Sequence, residues 1–358
     1  MQLDEETIRR LREKGKSSLF FLARGILGFN DLSKEIHQPI CLALQDHTNN
    51  TRVLVVLPRT WFKSSLSSIA YPIFRAINDP NVRILIAQST YDNACKKLQA
   101  IASLFEKNAL LRLLYPDILP TKQCRWSSEC LEVNRTKAHP EGTFEAAGVG
   151  TTITSRHYDI IVEYDTVAPK KDDMTGVMQQ PTQLDIEKAI GWHSLCHPML
   201  LHPRESQIVI VGTRWAERDL IGYVMKHFAE YKIVSRAACE KNGRPMTLDD
   251  GGTPTWSRFD ASTLREIERT EGPYMFASLY LNAPCSAINQ VFKRDWIKYY
   301  EQPARACYTC TSVDLAAAER EESGNPDFNV IVTTSIEPKT GRIFVLEYTR
   351  ERMNPSEV

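Results

Sequence analysis

The sequence predicts an α/β chain centred on a mostly parallel sheet with helices on both faces. Three observations carry this. From Arg52 onward, short β-branched runs alternate with amphipathic segments, the rhythm of a parallel sheet. Apolar runs such as 54–58 and 208–212 are continuous, as strands buried on both faces are. With 358 residues, 42 % hydrophobic and 25 % charged, the chain is a folded globular protein of two or three domains.

Composition excludes several classes. Lys plus Arg is 44 and Asp plus Glu is 44, so no overall basic field draws the molecule to nucleic acid, and any DNA contact is local. The apolar runs fall far short of the ~20 residues of a spanning helix, so no membrane role is expected. The acidic start, Met1-Gln2-Leu3-Asp4-Glu5-Glu6, lacks the design of a secretory leader, and an intracellular protein is expected. Nine scattered cysteines, an odd number, read as reduced thiols rather than a disulfide framework.

Residues 1–50 carry helical periodicity: a charged segment at 5–16, an apolar one at 19–27, and a helix capped by Ser33 that runs toward Leu44. A strand at 53–57, helical spacing over 64–77, a strand at 82–87 and a long helix over 90–105 make a βαβ unit. Two further strands, 158–163 and 207–212, are separated by a helix around 184–201. In open parallel sheets ligands bind beyond the carboxyl ends of the strands, so the charged residues ending these strands are expected to converge on one crevice. A Gly-, Asp-, Pro- and Thr-rich stretch at 241–254 and helices at 261–270 and 274–281 suggest a small subdomain. After a linker near 284–303, strands at 307–315, 329–337 and 342–349 begin a second sheet.

The chemistry starts after the first strand. Pro58-Arg59-Thr60-Trp61-Phe62-Lys63-Ser64-Ser65 leads into a helix, which is the layout of a phosphate-binding loop. Backbone amides at a helix N-terminus cradle phosphates, Lys63 would reach the β- and γ-phosphates, and the Ser64 hydroxyl would bind Mg²⁺. Both signature glycines are missing: Leu57 and Phe62 stand in their places. The strand tip Asp159-Ile160-Ile161-Val162-Glu163-Tyr164-Asp165 resembles a Walker B segment, with Asp165 as the principal acid at Mg²⁺ and the attacking water, and Glu163 as its partner. Strand alternation puts Glu163 and Asp165 on one face. Thr213 and Arg214 end the strand at 207–212 and suit a sensor of the γ-phosphate.

Other clusters have plain structural readings. His193, Cys196, His197 and His202 lie on or after a helix without a second ligand cluster, which does not favour zinc. Cys307 and Cys310 sit on a strand where their thiols face opposite sides. The N-terminal basic residues are interleaved with Glu5, Glu6 and Glu13, as on a solvated helix face.

In order along the chain, these segments resemble the large terminase subunit of tailed bacteriophages, the ATPase and nuclease that packages viral DNA. Pro58-Arg59 with Lys63-Ser64 is similar to that family's deviant Walker A loop, and 159–167 to its Walker B strand. Gly212-Thr213-Arg214-Trp215 followed by Asp219-Leu220-Ile221-Gly222 is similar to its coupling segment and is the most specific match. Thr255-Trp256-Ser257-Arg258-Phe259 and Tyr280-Leu281-Asn282-Ala283-Pro284 resemble the bounds of its lid, and Phe292-Lys293-Arg294-Asp295-Trp296 the linker before its nuclease.

The resemblance implies a P-loop ATPase with a central mostly parallel sheet, a small lid subdomain and the start of an RNase H-like nuclease. The boundaries expected are 1–50 for the N-terminal helical segment, 51–240 for the ATPase core, 241–284 for the lid, 285–305 for the linker and 306–358 for an incomplete nuclease. It further implies ATP and Mg²⁺ as cofactors, Arg59 on the γ-phosphate, Arg214 as a relay of nucleotide state, and Gln38 as the reader of adenine. In the nuclease it implies Asp314 and Asp327 as ligands of Mg²⁺ or Mn²⁺, with Glu347 a peripheral substitute; two-metal cleavage needs three or four carboxylates, so no cleavage is expected of this chain. The implied partners are double-stranded DNA, a portal protein, a small terminase subunit and further copies in a ring, in the host cytoplasm at the procapsid portal. Three rival readings stand beside it: a nucleotide-binding scaffold with a degenerate loop, a metal-dependent nuclease or recombinase led by Asp314, and a helicase.

Overall fold

Most helix starts follow side-chain caps; the helices Tyr71–Asn78 and Pro273–Leu279 instead carry proline in the first turn. The computed structural model describes residues 4–151, 155–171, 178–284, 298–302, 307–315 and 329–351. In it α1 (Glu5–Ser17) opens at Asp4, whose carboxylate accepts from the Thr7 amide, with Glu5 and Glu6 in the first turn and Lys14 and Lys16 in the last. A short α2 (Leu19–Phe21) runs into a π-helical turn at Leu22–Ile26, and Ser33 caps α3 (Lys34–Gln45) as the sequence predicts.

The chain then alternates. β1 (Arg52–Val56) is followed by the 57–64 loop, a π-helical stretch at Ser65–Ala70 and α4 (Tyr71–Asn78). Next come β2 (Ile84–Gln88), α5 (Tyr91–Lys107, capped by Thr90) and α6 (Ala109–Leu114). β3 (Cys130–Leu131), β4 (Phe144–Gly148) and β5 (Ile160–Tyr164) follow, then a two-residue ribbon of β6 (Lys170–Lys171) and β7 (Met178–Gln179). α7 (Gln183–Cys196), β8 (Gln207–Gly212), α8 (Leu220–His227) and β9 (Lys232–Ser235) complete the sheet region.

The sheet order is β3-β4-β2-β5-β8-β1-β9, parallel throughout except for β3 against β4. Every residue of β1, β2, β5 and β8 is buried, which is why these strands read as largely apolar runs, with Arg52, Gln88, Glu163 and Gln207 as the polar exceptions. β4 and β9 escape the sequence reading for opposite reasons. β4, Phe144-Glu145-Ala146-Ala147-Gly148, has no β-branched residue. β9 is an edge strand and mostly exposed. Pairing sets Val56 beside Gly212 and Val211 beside Tyr164, so the carboxyl ends of β1, β8 and β5 lie side by side. The strand ends thus meet as expected, but of the charged residues at the ends of β5 and β8 only Asp165 reaches the cleft there, while Glu163 and Arg214 are engaged elsewhere.

Beyond β9, β10 (Cys239–Lys241) pairs with β11 (Arg244–Pro245) and β12 (Thr253–Pro254), followed by α9 (Ala261–Glu271) and α10 (Pro273–Leu279). These elements lie within one compact unit, Met1–Gln290. The second unit, Val291–Val358, contains the antiparallel β13 (Tyr308–Asp314), β14 (Asn329–Ile336) and β15 (Ile343–Glu351), with a bulge at Thr333/Thr334. Most of the expected 285–305 linker lies outside the described residues. Among the described residues no helix is long and apolar enough to cross a membrane.

Candidate nucleotide site

The loop after β1 adopts a glycine-like path without glycine. Thr60 has φ 67° and Phe62 has φ 51°, and Phe62 occupies one of the two vacant glycine positions. A left-handed conformation costs a side-chain-bearing residue about 1–2 kcal/mol. Leu57, in the other glycine position, is instead a fully buried residue following β1. The turn delivers Lys63 and Ser64 to a cleft of about 360 Å³, which Arg59, Thr60, Trp61 and Phe62 also line. Pro58 is buried and contributes its carbonyl; Ser65 begins the helix and is not among the lining residues.

Lys63 is 6 % exposed, and its Nζ donates one long bond, 3.4 Å, to the Pro58 carbonyl. Burial pulls its ammonium below the usual lysine range; the Asp165 carboxylate opposes this, while Arg59 and Lys97 reinforce it. A buried cation with so little compensation carries a desolvation cost, which a nearby negative charge offsets. The Ser64 hydroxyl is hydrogen-bonded to the Tyr164 phenol. Burial raises that phenol's pKa, and so does the neighbouring Asp165 carboxylate.

The two acids of the β5 tip do not share a face. Glu163 is fully buried and its Oε1 lies 2.7 Å from His193 Nδ1 on α7. Asp165 follows the strand end with φ 43°, and this left-handed residue ends the alternation on which the same-face expectation rested. The Asp165 amide donates to the Val211 carbonyl at 2.9 Å, its side chain lines the cleft, and its Oδ1 is buried without a hydrogen-bond partner among the described residues. Glu163 is thus held away from the cleft as half of a buried pair. Burial pulls the His193 imidazole down, but the Glu163 charge and hydrogen bond outweigh it and leave the pKa raised.

β8 continues into Thr213 and Trp215, which line the cleft, while the intervening Arg214 turns away. Its Nε lies 3.0 and 3.1 Å from the two Asp219 oxygens, and its Nη2 donates to the Ala216 and Glu217 carbonyls at 3.1 and 2.9 Å. The expected relay is therefore engaged in its own turn. Gly222 explains the rest of that motif: a Cβ there would stand 2.1 Å from the Glu217 carbonyl oxygen. Gln38, the expected adenine reader, is exposed on α3 and is not among the residues lining the cleft.

Tertiary structure adds Lys97, on α5, whose Nζ stands 4.9 Å from the centroid of the Tyr164 ring. Burial lowers its pKa and Asp165 raises it, so Asp165 faces two ammonium groups. Nothing in the sequence marks Lys97 apart from other lysines of an amphipathic helix. Tyr164, which stood in the sequence only as an interruption between acids, is the residue that meets Ser64.

In the second unit Asp314 is exposed at the end of β13. Register aligns Thr311, Thr333 and Glu347, whereas Asp314 aligns with Val330, three residues along β13 from Thr311; Glu347 and Asp314 therefore point to opposite faces. This removes Glu347 as a substitute ligand. Asp327 lies outside the described residues. Among the described residues no group of three or more His, Cys, Asp or Glu side chains could hold a metal ion, and the 193–202 histidines include one already committed to Glu163.

No protein-family model matches the sequence, and no curated protein matches it. Among solved structures, the chain is similar to the crystal structure of the HK97 bacteriophage large terminase, at 13 % sequence identity and a TM-score of 0.45. The likeness covers 87 % of this chain and 62 % of that one.

Proposed function

We propose that the chain is an ATP-hydrolysing motor subunit that translocates double-stranded DNA into a viral procapsid. One observation carries the ATPase reading: Lys63 and Asp165, 102 residues apart, face one cleft beyond β1 and β5, the two strands that flank β8, and each lacks a full complement of partners among the described residues. That pairing fits a metal–triphosphate, in which negative phosphates need a cation and a bound metal needs an unspent carboxylate oxygen.

Lys63 would bind the β- and γ-phosphates, and Arg59, exposed at the rim, would reach the γ-phosphate. Ser64 and Asp165 would hold Mg²⁺, which when bound supplies charge neutralisation of the phosphates. The Asp165 carboxylate would also orient the attacking water and accept its proton through the oxygen not given to the metal, in a cleft that Val167 and Trp215 line. The DNA-translocation part is supported by the ordered motifs at 58–64, 159–167, 212–222 and 255–259 and their resemblance to large terminase subunits. A motor must hold every sequence, so its grip on DNA would be to phosphates. A portal protein, a small subunit and a ring of copies, with nuclease chemistry led by Asp314, belong to the same proposal.

Steady-state ATP hydrolysis by wild type and Lys63→Ala, with and without double-stranded DNA, tests it. Turnover that DNA stimulates and Lys63→Ala abolishes is expected. Equal turnover in both proteins removes the central residue from the mechanism, and ATP binding without turnover favours the scaffold reading.

A further inference from the structure

The glycine-free loop raises the question of what holds Thr60 and Phe62 in the left-handed region. Such conformations persist where surrounding structure over-determines them. Between those two residues lies Trp61, fully buried, its ring edge-on to Trp256 at 5.1 Å and tilted against Phe259 at 5.8 Å. The Trp61 carbonyl lies 3.2 Å from Nε2 of His37, a fully buried residue of α3. On the other side of that imidazole, the Ser33 amide donates to Nδ1 at 2.9 Å. Nδ1 also lies 3.3 Å from the Ser33 carbonyl, but its shorter contact is to the amide; a nitrogen that accepts carries no proton, so we assign the proton of the neutral ring to Nε2, which donates it to Trp61. His37 also meets Trp256 edge-on at 5.3 Å and Phe62 at 6.4 Å. Burial lowers its pKa, in keeping with the neutral form.

We infer, on the strength of the nucleotide reading above, that His37 is a positioning residue for phosphate binding: its Nε2–H holds the Trp61 carbonyl, and with it the left-handed turn that presents Lys63 and Ser64. The same ring ties the turn to the Trp256–Phe259 segment. A second tie, from the Arg59 amide to the Leu279 carbonyl at 2.9 Å, joins the loop to α10. The hydrogen bond offsets a backbone strain that glycine, with no Cβ, would not incur. His37 is not among the residues lining the cleft and would act through Trp61.

Two variants separate the donor from mere filling. His37→Phe keeps an aromatic ring between Trp256 and Phe62 but cannot donate; His37→Gln can place an amide N–H near the Nε2 position. Mg²⁺-ATP affinity by calorimetry is read together with the near-ultraviolet circular dichroism of the Trp61–Trp256 pair without nucleotide, with thermal melts to verify folding. We expect His37→Phe to weaken ATP binding about tenfold and to reduce the tryptophan signal, and His37→Gln to restore most of both. Wild-type affinity and signal in His37→Phe, or equal losses in both variants, overturn the inference. If the tryptophan signal depends on His37 as expected but wild type shows no Lys63-dependent ATP binding, the nucleotide reading fails and the hold on the turn stands.

Discussion

Glu163 and Asp165, separated by one residue, face different environments: Glu163 is sealed against His193 behind the sheet, and Asp165 opens on the cleft that holds Lys63. The break comes at a backbone angle, φ 43° at Asp165, rather than at a change of side-chain type. Only one of the two carboxylates therefore opens on the cleft.

Asp165→Asn should lower ATP turnover by about 10²-fold or more, the usual scale of a lost general base, while Glu163→Gln leaves turnover per folded molecule near wild type. Rates measured with active-site titration would check this. The reverse pattern would return the catalytic role to Glu163.

Removing one half of the buried pair should be costly. Glu163→Ala leaves an imidazole without its counter-charge, and unfolding in urea is expected to show a loss of about 3–5 kcal/mol. Replacing both Glu163 and His193 by apolar residues of similar volume should recover most of it, because neither desolvated charge remains.

The same pair gives a pH dependence of known sign. The His193 pKa is raised in the fold, so the folded state binds more protons than the unfolded one around neutrality. Its contribution is complete below the unfolded value and fades as pH rises through the folded one. Urea midpoints should therefore fall with rising pH above the ordinary histidine range, by a component that His193→Gln abolishes.

The segment after β8 is fixed by Asp219, which accepts from the amides of Trp215 and Gly222 at 2.8 Å each and pairs with Arg214. Asp219→Ala should destabilise more than Arg214→Ala, since the first orphans several donors and a half-buried guanidinium, whereas the second leaves Asp219 its amides. Gly222→Ala should be as damaging as Asp219→Ala, because its Cβ meets backbone rather than a movable side chain. Thermal midpoints of the three variants test the order.

The parallel sheet, the helix cap at Ser33, and the loop carrying Lys63 and Ser64 were all legible in the sequence. Each is a local pattern: apolar runs of strand length, a hydroxyl three residues before an amide, a cation after a strand. β4 was not legible, because its pairing with β2 rather than its composition makes it a strand.

The sequence by itself determined most of the segments that become strands and helices, β4 and β9 apart, and which carry charge to the strand ends, because hydrophobic periodicity and capping act over a few residues. Only the tertiary structure decided the partners: Glu163 to His193, Arg214 to Asp219, Tyr164 to Ser64, His37 to Trp61. Those pairings span from 5 to 100 residues, and a long-range hydrogen bond or ion pair depends on burial and on one or two backbone angles that no local pattern encodes.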